Sequence, residues 1–331
     1  MSRIGSIAGH LWTIAPWVVQ QVRPARASLH RVFRVAVPDE RWGTVLLRGA
    51  LSGPARGRTL VVLVHGAGGS KDSPYMIRAA HVAESLGAAC LRLDLRGADA
   101  TGEDIYHAAI DEDLAAALAS PVLDRFERVV VAGWSVGGHV ALRYALSPQR
   151  DPRLAAVATI SAPLDLEATV RAIDAPDALV YRRHVLATQK RLLRLLAARR
   201  RVPIDVPRAL AAETCAEWDR SAICPRFGFA EPAAYYARSA GPHLASLEIP
   251  ALVVSAKHDP MVPTHTMEPL LARAKGDGSE PRARATIEVR LTARGGHVAF
   301  PPTLDLGVGQ RGAGMVGVEE QIVRWLIERA R

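Results

Sequence analysis

Arg128 to Leu146 reads RVVVAGWSVGGHVALRYAL. The run Val129-Val130-Val131-Ala132 has the length and β-branched content of a strand covered on both faces, whereas Val140, Ala141, Tyr144 and Ala145 recur at helical spacing. Between them stands Gly133-Trp134-Ser135-Val136-Gly137, a G-x-S-x-G turn. Glycines flank the serine in such a turn because neighbouring backbone passes too close for side chains. The strand before and the helix after are the surroundings that turn this short pattern into a nucleophile elbow, with Ser135 exposed at the positive end of the following helix.

Working outward, buried runs and helical patterns alternate. The runs Leu60 to Val64, Ala88 to Leu93, Leu154 to Ile160, Ala251 to Ser255 and Thr286 to Leu291 read as strands. Met76 to Leu86, Tyr106 to Leu118 and Glu319 to Ala330 read as helices. Such alternation predicts an α/β fold with a mostly parallel sheet and helices on both faces. Leu29 to Val37 and Thr44 to Leu51 alternate apolar and polar residues around Pro38-Asp39-Glu40, the pattern of an antiparallel edge hairpin. The rhythm breaks between Leu166 and Leu247, where helical patterns follow one another without a strand. The expected organisation is therefore an N-terminal segment, 1–28, packed on the domain; a first core part, 29–165; a helical cap insertion, 166–247; and a second core part, 248–331. Pro301 to Gly314 reads as a long surface loop.

With 49% apolar residues the chain can fill a core, and its net charge of +9 comes almost wholly from arginine, since lysine occurs only at 71, 190, 257 and 275. Aromatic content of 5% without basic-aromatic interleaving argues against nucleic acid as a partner. Cys90, Cys215 and Cys224 cannot all pair within the chain and show no metal-like clustering, which suggests a reducing, cytoplasmic setting and no metal or cofactor. The apolar stretch Ile4 to Val22 is interrupted by His10, Pro16, Gln20 and Gln21, so a membrane span is not expected. A signal peptide competes, with Ala25-Arg26-Ala27 as its cleavage site, but Arg23 and Arg26 put charge where such signals have little. The stretch 190–201 is leucine-rich on one side and basic on the other. It reads either as an interfacial helix making peripheral contact with anionic membrane or, by preference, as a cap helix with a solvated arginine face.

A serine hydroxyl needs an imidazole to take its proton and a carboxylate to fix that imidazole's tautomer. His297 follows the last strand behind Gly295-Gly296, and Asp259 follows the strand before it, so the order Ser135, Asp259, His297 is that of an α/β-hydrolase triad. Asp165, after the strand that follows the elbow helix, is the alternative acid, with helix capping as its competing role. His65-Gly66-Ala67-Gly68-Gly69-Ser70 lacks both the dinucleotide and the Walker pattern and fits an oxyanion loop. The expected donors are the backbone N–H groups of Ala67 and Val136, with His65 organising the loop.

Several segments together carry a family resemblance. They are Gly9-His10-Leu11-Trp12-Thr13-Ile14, His65 to Ser70, Gly133 to Gly138, Ser161-Ala162-Pro163-Leu164-Asp165-Leu166, Tyr235-Tyr236, His258-Asp259-Pro260 and Gly295 to Phe300. On these the chain resembles the YheT-like α/β-hydrolases, related to embryogenesis-associated plant proteins and to mammalian membrane-linked phospholipid and acylglycerol hydrolases. The resemblance implies a serine esterase acting on small acyl esters or glycerolipids. It also places the N-terminal segment inside the family's normal extent. Trp12 stands where the family usually has glutamine, and Asp94-Leu95-Arg96-Gly97 where it tends to have an asparagine-phenylalanine pair. The competing class is a non-catalytic lipid- or partner-binding protein of the same fold, and a thioesterase or lactonase would use the same residues.

Overall fold

The computed structural model describes residues 7–13, 26–275, 285–308 and 317–331. Among these, the strands are β1 (Arg31–Asp39), β2 (Gly43–Ser52), β3 (Thr59–Val64), β4 (Ala89–Leu93), β5 (Arg128–Trp134), β6 (Leu154–Ile160), β7 (Ala251–Ala256) and β8 (Ile287–Thr292). They form one sheet in the order β1-β2-β4-β3-β5-β6-β7-β8. β1 with β2 and β2 with β4 are antiparallel, and every other pair is parallel.

The helices are α1 (residues 7–13), α2 (Pro74–Ser85), α3 (Asp111–Leu118), α4 (Val136–Leu146), α5 (Leu166–Ile173), α6 (Leu179–Arg199), α7 (Val206–Ala211), α8 (Cys215–Trp218), α9 (Cys224–Phe227), α10 (Pro232–Tyr236), α11 (Glu268–Lys275) and α12 (Val318–Arg329). Side chains alternate across a strand, so Val129 and Val131 join the core with α3 and α4, while Val130 and Ala132 join the one with α2 and α12. Both faces are dry, which explains an apolar run with no polar alternation. Each fully buried valine contributes about 1.5–3 kcal/mol.

Helices α5 to α10 lie between β6 and β7 in sequence. The leucine side of α6 is already occupied: Leu192, Leu193 and Leu196 are buried in the protein's own core. Its basic side is partly tied down. Lys190 donates to the Ala212 carbonyl at 2.6 Å, Arg199 pairs with Glu103 at 2.9 Å, and the Arg200 guanidinium lies 4.9 Å from the centre of the Trp42 ring. Arg191 and Arg194 remain exposed. From α9, Arg226 donates to Asp104 at 2.8 Å and to Asp39 at 3.0 Å, and Arg96 bonds the same Asp39 at 2.8 Å and Asp113 at 2.9 Å. This buried ionic cluster fastens the helices before β7 to the β1–β2 hairpin and to the loop after β4. Cys90, Cys215 and Cys224 are buried and unpaired.

Three sequence expectations are corrected. The hairpin turn lies at residues 40–42, because an edge strand tolerates Pro38, which pairs with Thr44, and the Asp39 side chain accepts the Arg41 N–H at 3.1 Å. The helix expected from Tyr106 begins only at Asp111. Side chains take over the backbone donors before it: the Ala108 N–H donates to the Tyr235 hydroxyl at 3.0 Å and the Ala109 N–H to His107 Nδ1 at 3.1 Å. The loop after Pro301 does not lie wholly on the surface, since Leu306 and Val308 are buried under α12. Gln321 holds them there, accepting the Leu306 N–H at 2.7 Å and donating to the Leu304 carbonyl at 2.6 Å. Residues 309–314 of that loop, residues 1–6 of the N-terminal segment and residues 14–25, with the cleavage-site triplet's Ala25, lie outside the described residues.

Candidate active site

Between β5 and α4 the chain reverses at Ser135, whose φ of +51° is left-handed, a conformation a non-glycine residue holds only when its surroundings enforce it. They do so here. A methyl on Gly133 would lie 2.2 Å from the Gly137 carbonyl oxygen, and one on Gly137 would lie 2.4 Å from those of Val64 and His65. The Ser135 N–H is fixed to the Ile160 carbonyl at 2.7 Å, so two neighbouring strands and the helix grip one turn.

His297 comes to this serine from the loop after β8, its Nε2 standing 3.0 Å from Ser135 Oγ. On the other side of the ring, Nδ1 lies 2.9 Å and 3.1 Å from the two carboxylate oxygens of Asp259. Asp259 Oδ1 also accepts the N–H groups of Met261 and Val262, each at 2.9 Å, which orients the carboxylate. All three residues are nine-tenths or more buried. Asp165 is elsewhere: it caps α5, accepting the Ala168 N–H at 2.9 Å. A serine, an imidazole and an acceptor-only carboxylate in this order can relay a proton from hydroxyl to ring while the carboxylate holds the tautomer.

Two other histidines near the sheet serve as connectors. His65 donates from Nδ1 to the Gly66 carbonyl and accepts the Leu95 N–H at Nε2, and burial pushes its pKa below the usual histidine value. His139 bonds the Ala108 carbonyl and accepts the Ala240 N–H, and burial pushes it down to about 4. Both stay neutral, and their ring nitrogens are used up.

Sequence reasoning did not find the supports. Thr13, on α1, accepts the His297 N–H at 2.8 Å while donating to the Gly9 carbonyl at 2.8 Å, so the N-terminal helix braces the histidine loop. Ser161, itself at φ +53°, accepts the Val298 N–H at 3.2 Å. In the glycine-rich loop the Gly66 N–H donates to the Tyr75 hydroxyl at 3.1 Å and the Gly68 N–H to the Tyr106 hydroxyl at 2.9 Å. Ala67 lies between them. Its N–H and that of Val136, at the start of α4, have no hydrogen-bond acceptor among the described residues. The only signal for these supports was that Thr13 and Ser161 fall inside stretches quoted for the family resemblance.

Ser135, His297, Ala67 and Val136 line one cavity of about 110 Å³. Its walls are mostly apolar and come largely from α5, α6 and α8, including Leu166, Val170, Ile173, Val185, Leu186 and Trp218. That volume far exceeds the ~10–15 Å³ a single water needs, so the cavity can take a chain of several atoms.

A family model described as the alpha/beta hydrolase fold matches residues 59–300, most of the chain. The chain belongs to the α/β-hydrolase fold family. Within that family it is YheT-like: it is 28% identical, over 74% of its length and 72% of the relative's, to YheT of Escherichia coli (strain K12), which is provisionally named an esterase. Among solved structures, an esterase of Pyrococcus furiosus superposes with a TM-score of 0.51 at 16% identity, over 85% of this chain and 86% of that one. Est1E from Butyrivibrio proteoclasticus gives 0.51 at 16% identity, over 89% and 98%. The acylaminoacyl peptidase of Pyrococcus horikoshii gives 0.52 at 13%, over 85% of this chain but 39% of the peptidase. At such identities what these three share with the chain is the α/β-hydrolase fold. Among the described residues no helix is long and apolar enough to cross a membrane.

Proposed function

We propose that this α/β-hydrolase is a serine hydrolase of carboxylic esters that works through an acyl-enzyme. The observation that carries the reading is the continuous hydrogen-bond chain from Ser135 Oγ through His297 to Asp259, at 3.0 Å and 2.9 Å, beside an apolar cavity. In this reading Ser135 Oγ adds to the acyl carbon as its proton passes to His297 Nε2. The imidazolium that forms is stabilised by Asp259. Negative charge on the former carbonyl oxygen is met by the Ala67 and Val136 N–H groups; one such donor is worth roughly 10²–10³ in rate. Collapse expels the alcohol, which takes the proton from His297, and a water then repeats the sequence on the acyl-serine. Residues 166–247 act as the cap over a core made of 29–165 and 248–331.

The esterase name carried by YheT and the apolar lining both favour acyl or glycerolipid esters, while a thioester or lactone would pass through the same steps. A fluorophosphonate probe should label Ser135 stoichiometrically. Ser135→Ala should abolish labelling and lower p-nitrophenyl ester turnover by at least ~10³-fold with the fold intact. Undiminished turnover in a folded Ser135→Ala protein would remove the mechanism. If the parent neither labels nor hydrolyses any ester, the non-catalytic, ligand-binding reading takes its place.

A further inference from the structure

The cavity beside Ser135 is not uniformly apolar. Thr169 on α5 and Gln189 on α6 both line it and both are more than nine-tenths buried; the Gln189 amide also meets the Tyr106 hydroxyl, but the Thr169 hydroxyl oxygen and the Gln189 Oε1 have no hydrogen-bond partner among the described residues. A third polar wall group, Asp219, follows α8 in a short π-helical turn and accepts the Tyr236 hydroxyl at 2.9 Å. Buried polar groups are nearly always satisfied, and leaving one unpaired is costly, so two in one ligand cavity require an explanation. π-turns also concentrate at functional sites. The Gln189 carbonyl can only accept, whereas the Thr169 hydroxyl can donate or accept. A group that satisfies both at once must donate to the Gln189 oxygen and can meet the Thr169 hydroxyl with either a proton or a lone pair; among simple neutral chain substituents a hydroxyl does this with a single oxygen.

We infer that the ester chain entering this cavity carries a hydroxyl group, which Thr169 and Gln189 recognise. The inference rests on the ester-hydrolase reading and narrows its substrate class from plain acyl chains to hydroxylated ones. Sites built to hydrogen-bond a substrate hydroxyl discriminate strongly against the analogue that lacks it, because the site's own polar groups are then buried unpaired. Unsubstituted chains should still react, with lower kcat/KM. The recognising groups sit on helices between β6 and β7, so substrate choice lies in the cap and the chemistry in the sheet.

The test compares p-nitrophenyl octanoate with its positional hydroxyoctanoate isomers and, for the alcohol half, octyl acetate with octanediol monoacetates. Thr169→Val and Gln189→Leu are measured beside the parent, with fluorophosphonate labelling as the control for the active serine. The expected result is that at least one hydroxyl position in one series raises kcat/KM by roughly tenfold over the plain chain. Each variant should bring that ratio close to one, whatever it does to hydrolysis of the plain chain. The series in which the preference appears tells which half of the ester occupies the cavity. If no position is preferred in either series, or if the preference survives both substitutions while labelling persists, the hydroxyl inference is overturned and the ester-hydrolase reading stands. Loss of labelling together with all turnover in the parent would overturn both.

Discussion

Asp219 is 7% exposed, and replacing it by asparagine removes a charge that the fold holds at a disadvantage. Burial pushes its carboxyl up from 3.8 to about 7, against the opposing hydrogen bond from Tyr236 and with help from the nearby Asp174 charge. The sign is opposite to that of a salt-bridged carboxylate. Below 3.8 folded and unfolded chains both carry the proton and Asp219 makes no difference. Between 3.8 and about 7 the unfolded chain ionises first, and folding becomes progressively less favourable. Above about 7 the penalty is constant. The gap of about 3 pH units, at about 1.4 kcal/mol each, makes it about 4 kcal/mol. Asparagine keeps an oxygen for the Tyr236 hydroxyl and never ionises. Asp219→Asn should therefore be more stable than the parent by about 4 kcal/mol at pH 8 but only about 1.5 kcal/mol at pH 5. Urea unfolding of both proteins at the two pH values measures the difference directly. An equal offset at pH 5 and pH 8, or a larger one at pH 5, would refute a buried carboxyl with a raised pKa.

Asp259→Asn should lower kcat/KM by roughly 10³–10⁴-fold, since the amide no longer favours the required tautomer, whereas Asp165→Asn should leave it close to parental; initial rates on p-nitrophenyl butyrate rank the two. Arg226→Met should destabilise by about 3–5 kcal/mol, read from urea midpoints, because it leaves the buried Asp104 with half its counter-charge. Arg191→Glu with Arg194→Glu should weaken pelleting with phosphatidylglycerol vesicles at low salt, each lost basic residue counting for about 1 kcal/mol, while hydrolysis of a soluble short-chain ester is unchanged. Equal pelleting would mean that these arginines are only a solvated face.

What could be read from the chain was whatever has a local period or a fixed spacing. β6 fell on Leu154–Ile160 as its apolar run indicated, and the elbow was legible because Gly133, Ser135 and Gly137 must be neighbours in sequence to make one turn. His297 and Asp259 were legible as loop residues after consecutive strands, and the geometry brings them to Ser135. What escaped was set by distant partners. Nothing local marks Thr13 as the acceptor of an N–H 284 residues away, or pairs Arg226 with Asp104 across 122 residues. The helix expected from Tyr106 failed for the same reason. Its apolar residues have helical spacing, but the Tyr235 hydroxyl, reaching in from α10, captures a donor there. Leu306 and Val308 looked exposed beside proline and glycine until α12 and Gln321 closed over them.

The elbow's glycines divide the meaning of the motif in two. Relief of the 2.2 Å and 2.4 Å clashes that a methyl would make at Gly133 and Gly137 requires backbone of β3, β5 and α4 to move, so these positions answer to sheet packing whether or not a reaction takes place. In the proposed mechanism Ser135 answers to chemistry instead: its side chain lies in the cavity wall, and alanine fits where it stands. On that mechanism, a lineage descended from this protein could lose its activity by a single residue change and keep the turn, the fold and both glycines under undiminished selection. Intact glycines in such a relative would testify to architecture, and only the serine, with its histidine and aspartate, would testify to turnover.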